Sequence, residues 1–114
     1  MALHIKARIK SEILFNRLIE KIRKGEIDTW TVDVEVDFTH KPIQWFERAW
    51  LRRSSTTTDC DLVFGIVGRK DESMSKVVYA VYHGRFAEML LTHFDEEIES
   101  ISISSLPERE VDLL

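Results

Sequence analysis

The sequence predicts an α+β fold, a mostly antiparallel sheet with two helices packed on one face, and three observations carry that reading. Trp30, Val32, Val34, Val36 and Phe38 alternate with Thr31, Asp33, Glu35 and Asp37, the period of a half-buried strand. Leu14, Phe15, Leu18, Ile19 and Ile22 fall within one arc of roughly 140° when wound at about 100° per residue, the stripe of an amphipathic helix. Leu62 to Gly68 is an uninterrupted apolar run between polar segments, as expected of a central strand covered on both faces.

Taken in order, Leu3, Ile5, Ala7 and Ile9 alternate with His4, Lys6, Arg8 and Lys10, so a first strand opens the chain. The helix is expected from about Ser11 to Lys24. Ser11 suits an N-cap, Glu12 the positive end of the helix dipole, and Lys21, Arg23 and Lys24 the negative end. Gly25 can close it in a left-handed conformation. After the strand at residues 30–38, Thr39-His40-Lys41-Pro42 reads as a turn into a second strand, Ile43 to Arg53. Pairing Phe38 with Ile43 puts Trp45, Ala49 and Leu51 on the core side. Phe46, Arg48, Trp50 and Arg52 then lie on the other face, with Arg48 across from Asp33 and Trp50 across from Thr31. The same register turns Glu47 inward, where a carboxylate needs a partner or a local bulge that returns it to water.

Ser54 to Asp59 is a polar loop before the apolar run, and Arg69 to Ser75 a polar connection after it. Val77 to Tyr82 reads as a strand, and Gly84 allows the turn into a helix from about Arg85 to Phe94. A short strand around Ile101 and Ile103 comes last. The expected order is therefore β-α-β-β-β-β-α-β in one domain over residues 1–106. Residues 107–114 form an acidic C-terminal tail expected to be mobile.

Composition sets the outer limits. The 114 residues suffice for a hydrophobic core, and 44% apolar with 32% charged residues argues against wholesale disorder. A lone cysteine, Cys60, and an N-terminus without an apolar signal stretch point to a cytoplasmic protein, and no run approaches the ~20 apolar residues of a membrane span. A net charge of −4 disfavours nucleic acid as a partner. Its distribution is uneven: residues 1–24 hold seven Lys/Arg against two Glu, and residues 95–114 hold seven Asp/Glu against one Arg. The two ends can therefore attract each other, within one chain or between two.

Four groups of residues invite a functional reading. His83, Gly84 and Arg85 stand where a strand is expected to become a helix, so free N–H groups with one His and one Arg could hold a phosphate or carboxylate, with His93 nearby. The bland alternative is a glycine turn with a solvated arginine. The histidines His40, His83 and His93, even with Asp59 or Asp95, lack the i, i+4 spacing of a helical zinc motif, so neither a metal nor another cofactor is expected. The carboxylates Asp33, Glu35 and Asp37 read as a solvated strand face, and the charges of Asp59 and Asp61 make Cys60 a poor nucleophile.

Phe46, Arg48, Trp50 and Arg52 make an aromatic and basic column of residue types enriched in binding hot spots. The column can be a partner or dimer surface, a second core layer under the tail or first strand, or a stacking platform for nucleic acid, which its acidic neighbours oppose. No recognisable catalytic motif occurs. The expectation is a non-catalytic cytoplasmic interaction module, homodimeric through the open sheet face or an exposed edge. The rival is a small-molecule binder or enzyme with a pocket near His83, Arg85 and His93.

Overall fold

The computed structural model describes residues 2–108 and 111–113. Eight elements follow in the expected order: β1 (Leu3–Ala7), α1 (Ser11–Arg23), β2 (Trp30–Val32), β3 (Phe38–His40), β4 (Ala49–Arg53), β5 (Asp61–Gly68), α2 (Lys76–Phe94) and β6 (Ile98–Ile103). The strands form a six-stranded sheet, β2-β3-β4-β5-β1-β6, with every neighbouring pair antiparallel. Both helices share one buried cluster with the same face of that sheet.

The core is aromatic where the two helices meet β3 and β5. Phe38 stands edge-on to Phe15, Phe64 and Phe86 at 5.9, 5.7 and 5.7 Å, and Phe64 meets Phe86 at 5.0 Å. These edge-to-face contacts add to the burial of each ring. Helix α1 presents the expected stripe, burying Leu14, Phe15, Leu18 and Ile22. Gly25, at φ 78°, closes it. The Gly25 N–H donates to the Ile22 carbonyl and the Glu26 N–H to the Lys21 carbonyl, the paired bonds of a Schellman motif. The start of α1 differs from expectation. Lys10 holds the N-cap position, while Ser11 lies inside the helix and donates its hydroxyl to the Thr58 carbonyl, tying α1 to the loop before β5.

The same element order is built from partly different residues. The alternation at residues 30–38 spans two strands and the turn between them. Asp33 Oδ1 accepts the N–H groups of Glu35 and Asp37, the Val36 N–H donates to the Asp33 carbonyl, and Val36 adopts φ 63°. Val34 stands at the tip, 98% exposed. The segment expected to start a strand at Ile43 is a turn through Arg48, and Phe38 pairs with Leu51 rather than Ile43. Tyr82 holds this turn by donating to the Trp45 carbonyl. Thr39 Oγ1 accepts the Glu47 N–H at 3.0 Å and donates to the Ala49 carbonyl at 3.0 Å. Glu47, at φ 56°, points to solvent, which resolves its apparent inward placement.

The segment Val77 to Tyr82 is helical. Ser75 caps α2 by accepting the Val78 N–H, and Val78, Tyr82, Phe86 and Leu90 bury one stripe at four-residue intervals. Packing along that stripe overrides the strand preference of the Val- and Tyr-rich sequence.

The C-terminal segment is docked. β1 begins opposite Phe64, which leaves β5 beyond that point without a neighbour on one side. Val111–Leu113 fills the gap. The Leu113 N–H donates to the Ile66 carbonyl and the Gly68 N–H to the Leu113 carbonyl, each at 2.8 Å. The Asp112 carboxylate accepts the N–H groups of Ile66 and Glu108, both at 2.8 Å. The opposite charges of the two ends meet within one chain, through Lys6 and Glu99 at 3.9 Å and Arg17 and Glu97 at 3.5 Å, beside a bond between His4 Nε2 and the Glu108 carboxylate at 3.1 Å. Their side chains are largely exposed, so they guide the docking more than they stabilise it.

Val111 can cross the sheet only because residue 65 is glycine: a Cβ there would overlap the Val111 carbonyl. Gly65→Ala is expected to displace the segment, lower stability by about 1–3 kcal/mol and make the Gly68 and Leu113 amides exchange rapidly. Native-state hydrogen exchange with a denaturant titration measures both, and unchanged protection at those amides would contradict this steric account.

Candidate functional site on the open sheet face

The face of the sheet opposite the helices carries Trp50 and Arg52 from β4, Val63, Gly65 and Val67 from β5, His4 and Lys6 from β1, and Ser100 and Ser102 from β6. Val111, lying over Gly65, divides it. On one side is a shallow trough of about 390 Å³ lined by His4, Lys6, Thr56, Thr58, Ser100 and Ser102, among others. On the other is a larger trough of about 660 Å³ around Trp50, Arg52 and Val67.

The larger trough has an apolar floor and a pre-ordered charged rim. Trp50 pairs with Val67 across β4 and β5 and is half-buried. Arg52 grips Asp37 through two bonds, Nε to Oδ1 at 2.9 Å and Nη2 to Oδ2 at 2.7 Å, and lies 3.9 Å from Glu35. Asp37 is buried, so this bidentate pair satisfies a carboxylate largely removed from water. Arg69 holds Asp71 in the same manner, with both bonds at 2.9 Å, and its guanidinium keeps the Asp71 carboxyl below its ordinary value. The side chains arrive already oriented, which lowers the entropy lost when a partner is engaged.

Trp50 and Arg52 thus stand together on the open face, as their spacing predicts. Phe46 and Arg48 do not join them on a strand, because both belong to the turn before β4. Phe46 is 43% exposed there, and Arg48 pairs with Glu72 at 3.4 Å. Val67, Arg69 and Asp71 were not singled out in the sequence, and Glu47 was noted only for its apparent inward placement, yet all four line the trough. Only the β4–β5 register, which sets Ala49 opposite Gly68, brings the segment after β5 beside the turn before β4.

The proposed anion site at His83, Gly84 and Arg85 loses its premise. These residues lie in the middle of α2, where no free helix N-terminus exists, because the helix starts at Lys76. His83 is buried, with Nδ1 against the Tyr79 carbonyl at 2.8 Å and its ring 4.7 Å from that of Tyr79. Arg85 lies on the other side of the helix, exposed and paired with Glu88 at 3.2 Å. His93, ten residues beyond His83, is about 15 Å away along the axis, too far to share a small ligand. Among the described residues no group of three His, Cys, Asp or Glu side chains is placed to hold a metal ion.

Comparison with known protein families, curated proteins and solved structures finds no match. The fold and its open face define an α+β protein with a six-stranded antiparallel sheet, helices on one side and a divided polar and aromatic surface on the other. No helix among the described residues is long and apolar enough to cross a membrane.

Two substitutions probe this arrangement. Gly84 has open space where a Cβ would project, so Gly84→Ala is expected to stabilise the protein by about 0.5–1 kcal/mol in a denaturant titration, the ordinary gain at a helix interior. Destabilisation would show that glycine is required there. His40 is buried against Trp30, its rings 4.7 Å apart, and its Nδ1–H donates to the Thr29 carbonyl. Burial lowers its pKa, outweighing the Thr29 bond that raises it. The unfolded chain therefore binds the proton first, and stability should fall as pH drops below about 6.5 toward the lowered folded value. His40→Gln is expected to flatten that part of the stability profile.

Proposed function

We propose that this chain is a non-catalytic interaction module of the cytoplasm that holds a protein partner on the open sheet face around Trp50. The observation that carries the reading is Trp50 itself: an aromatic side chain left half-buried on a face that no helix among the described residues covers, beside Val67 and flanked by Arg52. Tryptophan and arginine are among the residue types most enriched at interface hot spots. The mixed rim, with Asp33, Glu35 and Glu47 among Arg52, Arg69 and Lys70, suits the charged surface of a protein better than the uniform charge of a nucleic acid. The exposed Cys60, which has no second cysteine in the chain, fits a reducing compartment.

The test replaces Val67, on the trough floor, with a photoreactive phenylalanine analogue, identifies the crosslinked protein by mass spectrometry, and measures its affinity for purified variants. Trp50→Ala is expected to weaken that affinity by about 30-fold or more while keeping a cooperative thermal transition. Arg52 is the poorer probe, because its removal would strand the buried Asp37 carboxylate. An affinity unchanged by Trp50→Ala would reject the reading.

A further inference from the structure

We infer that β6 is a dimerisation edge, pairing antiparallel with β6 of a second copy to join two six-stranded sheets into one. This inference is independent of the Trp50 face, since β6 lies at the far end of the sheet from β2 and β3.

The backbone carries the first part of the argument. In the β1–β6 pairing Leu3 faces Ile103 and His4 faces Ser102, and the Ser104 N–H donates to the Ala2 carbonyl at 3.1 Å. Hydrogen-bonded pairs in an antiparallel ladder recur at every second residue, so Ser104, Ser102 and Ser100 direct their peptide groups toward β1. Ile101 and Ile103 direct theirs away, and no strand among the described residues lies on that side.

Edge strands in native proteins are ordinarily shortened, or guarded by lysine, proline, inward charge or a β-bulge. The opposite edge, β2, is short, at three residues. β6 has six residues, no proline and no lysine. Its one charge, Glu99, sits beside Lys6 of the same chain. The pairing with β1 is irregular at the start of β6, where the register shifts between Lys6 and Ala7, but from Ser100 to Ile103 it is regular and carries none of these guards, and Ile103 is 40% exposed.

The side chains select a second copy as the occupant. Ser100-Ile101-Ser102 reads the same in both directions, so a two-fold axis through Ile101 sets isoleucine against isoleucine and each Ser100 opposite a Ser102. Glu99 then stands across from Ile103, and no like charges oppose each other. The bonds that form are the outward N–H and C=O groups of Ile101 and Ile103 to their counterparts, groups that β1 cannot reach.

Sedimentation equilibrium and residue-resolved amide exchange on the full chain test the proposal. The expected result is a species of twice 13.4 kDa whose Ile101 and Ile103 amides become at least tenfold better protected as concentration rises through the dimerisation range. Ile103→Lys, which places a guarding charge on an already exposed side chain, should give a monomer in which those two amides exchange rapidly. A wild-type chain that stays monomeric at the highest attainable concentration would overturn the inference. So would a dimer with unprotected Ile101 and Ile103 amides, or one that persists as Ile103→Lys. The exchange measurement needs no variant, so it decides the matter even if Ile103→Lys fails to fold. A dimer dissolved by Trp50→Ala with those amides unprotected would assign self-association to the open face instead.

Discussion

Every layer of this protein answers to one constraint: β5 is apolar on both sides and must be covered on both. Leu62, Phe64 and Ile66 point toward the helices and are fully buried, while Val63 and Gly65 face the other way and are buried as well. A single helical layer covers only the first set. The second set is covered from the chain's own periphery, by the Ser54–Thr58 loop, whose Thr57 accepts the Val63 N–H, and by the C-terminal segment crossing at Gly65. An antiparallel sheet with one solvated face would normally show alternation in its central strand. β5 departs from it because the open face is partly roofed.

That roof shapes the open face. By lying over Gly65, Val111 splits what would be one broad face into two troughs and confines the aromatic region to the β3–β4 end. The positions of Trp50 and Arg52 depend on a second set of contacts, in which Tyr82 from α2 and Thr39 from β3 hold the turn before β4 through backbone carbonyls and an N–H. The core helix thus sets the strand register that displays the tryptophan. The link is mechanical: a shift of the turn would move Arg52 away from Asp37 and leave a buried carboxylate without its cation, an arrangement the interior tolerates poorly.

The two candidate contact regions lie at opposite ends of one sheet. The Trp50 trough offers side chains on a face, where partner identity rests on shape and charge. The β6 edge offers peptide groups, where recognition rests on backbone hydrogen bonds and the local side-chain pattern. A sheet that pairs through its edge leaves both faces free, so the proposed dimerisation and the proposed partner binding would not compete for the same surface.

What the sequence determined by itself was whatever depends on neighbours within a few residues. The stripe of α1 and its closure at Gly25, the strand character of β1 and β5, and the assignment of Ala49 and Leu51 to the core with Trp50 and Arg52 outside were all legible, because helical and strand periods are local. The face assignment survived even though Phe38 pairs with Leu51 instead of Ile43, since a slip of an even number of residues leaves every side chain on its own face. The tertiary structure decided the rest, where local preference was ambiguous or misleading. Val34 and Val36 continue an alternating pattern through a turn that carries no glycine to mark it, and Asp33 makes that turn with side-chain bonds. Val77 to Tyr82 has the composition of a strand but becomes helix, because Val78 and Tyr82 continue the stripe of Phe86 and Leu90 onto the sheet. That change removed the helix N-terminus on which an anion site at His83 to Arg85 depended. The trough around Trp50 draws on residues from three separate segments, and only strand pairing brings them together.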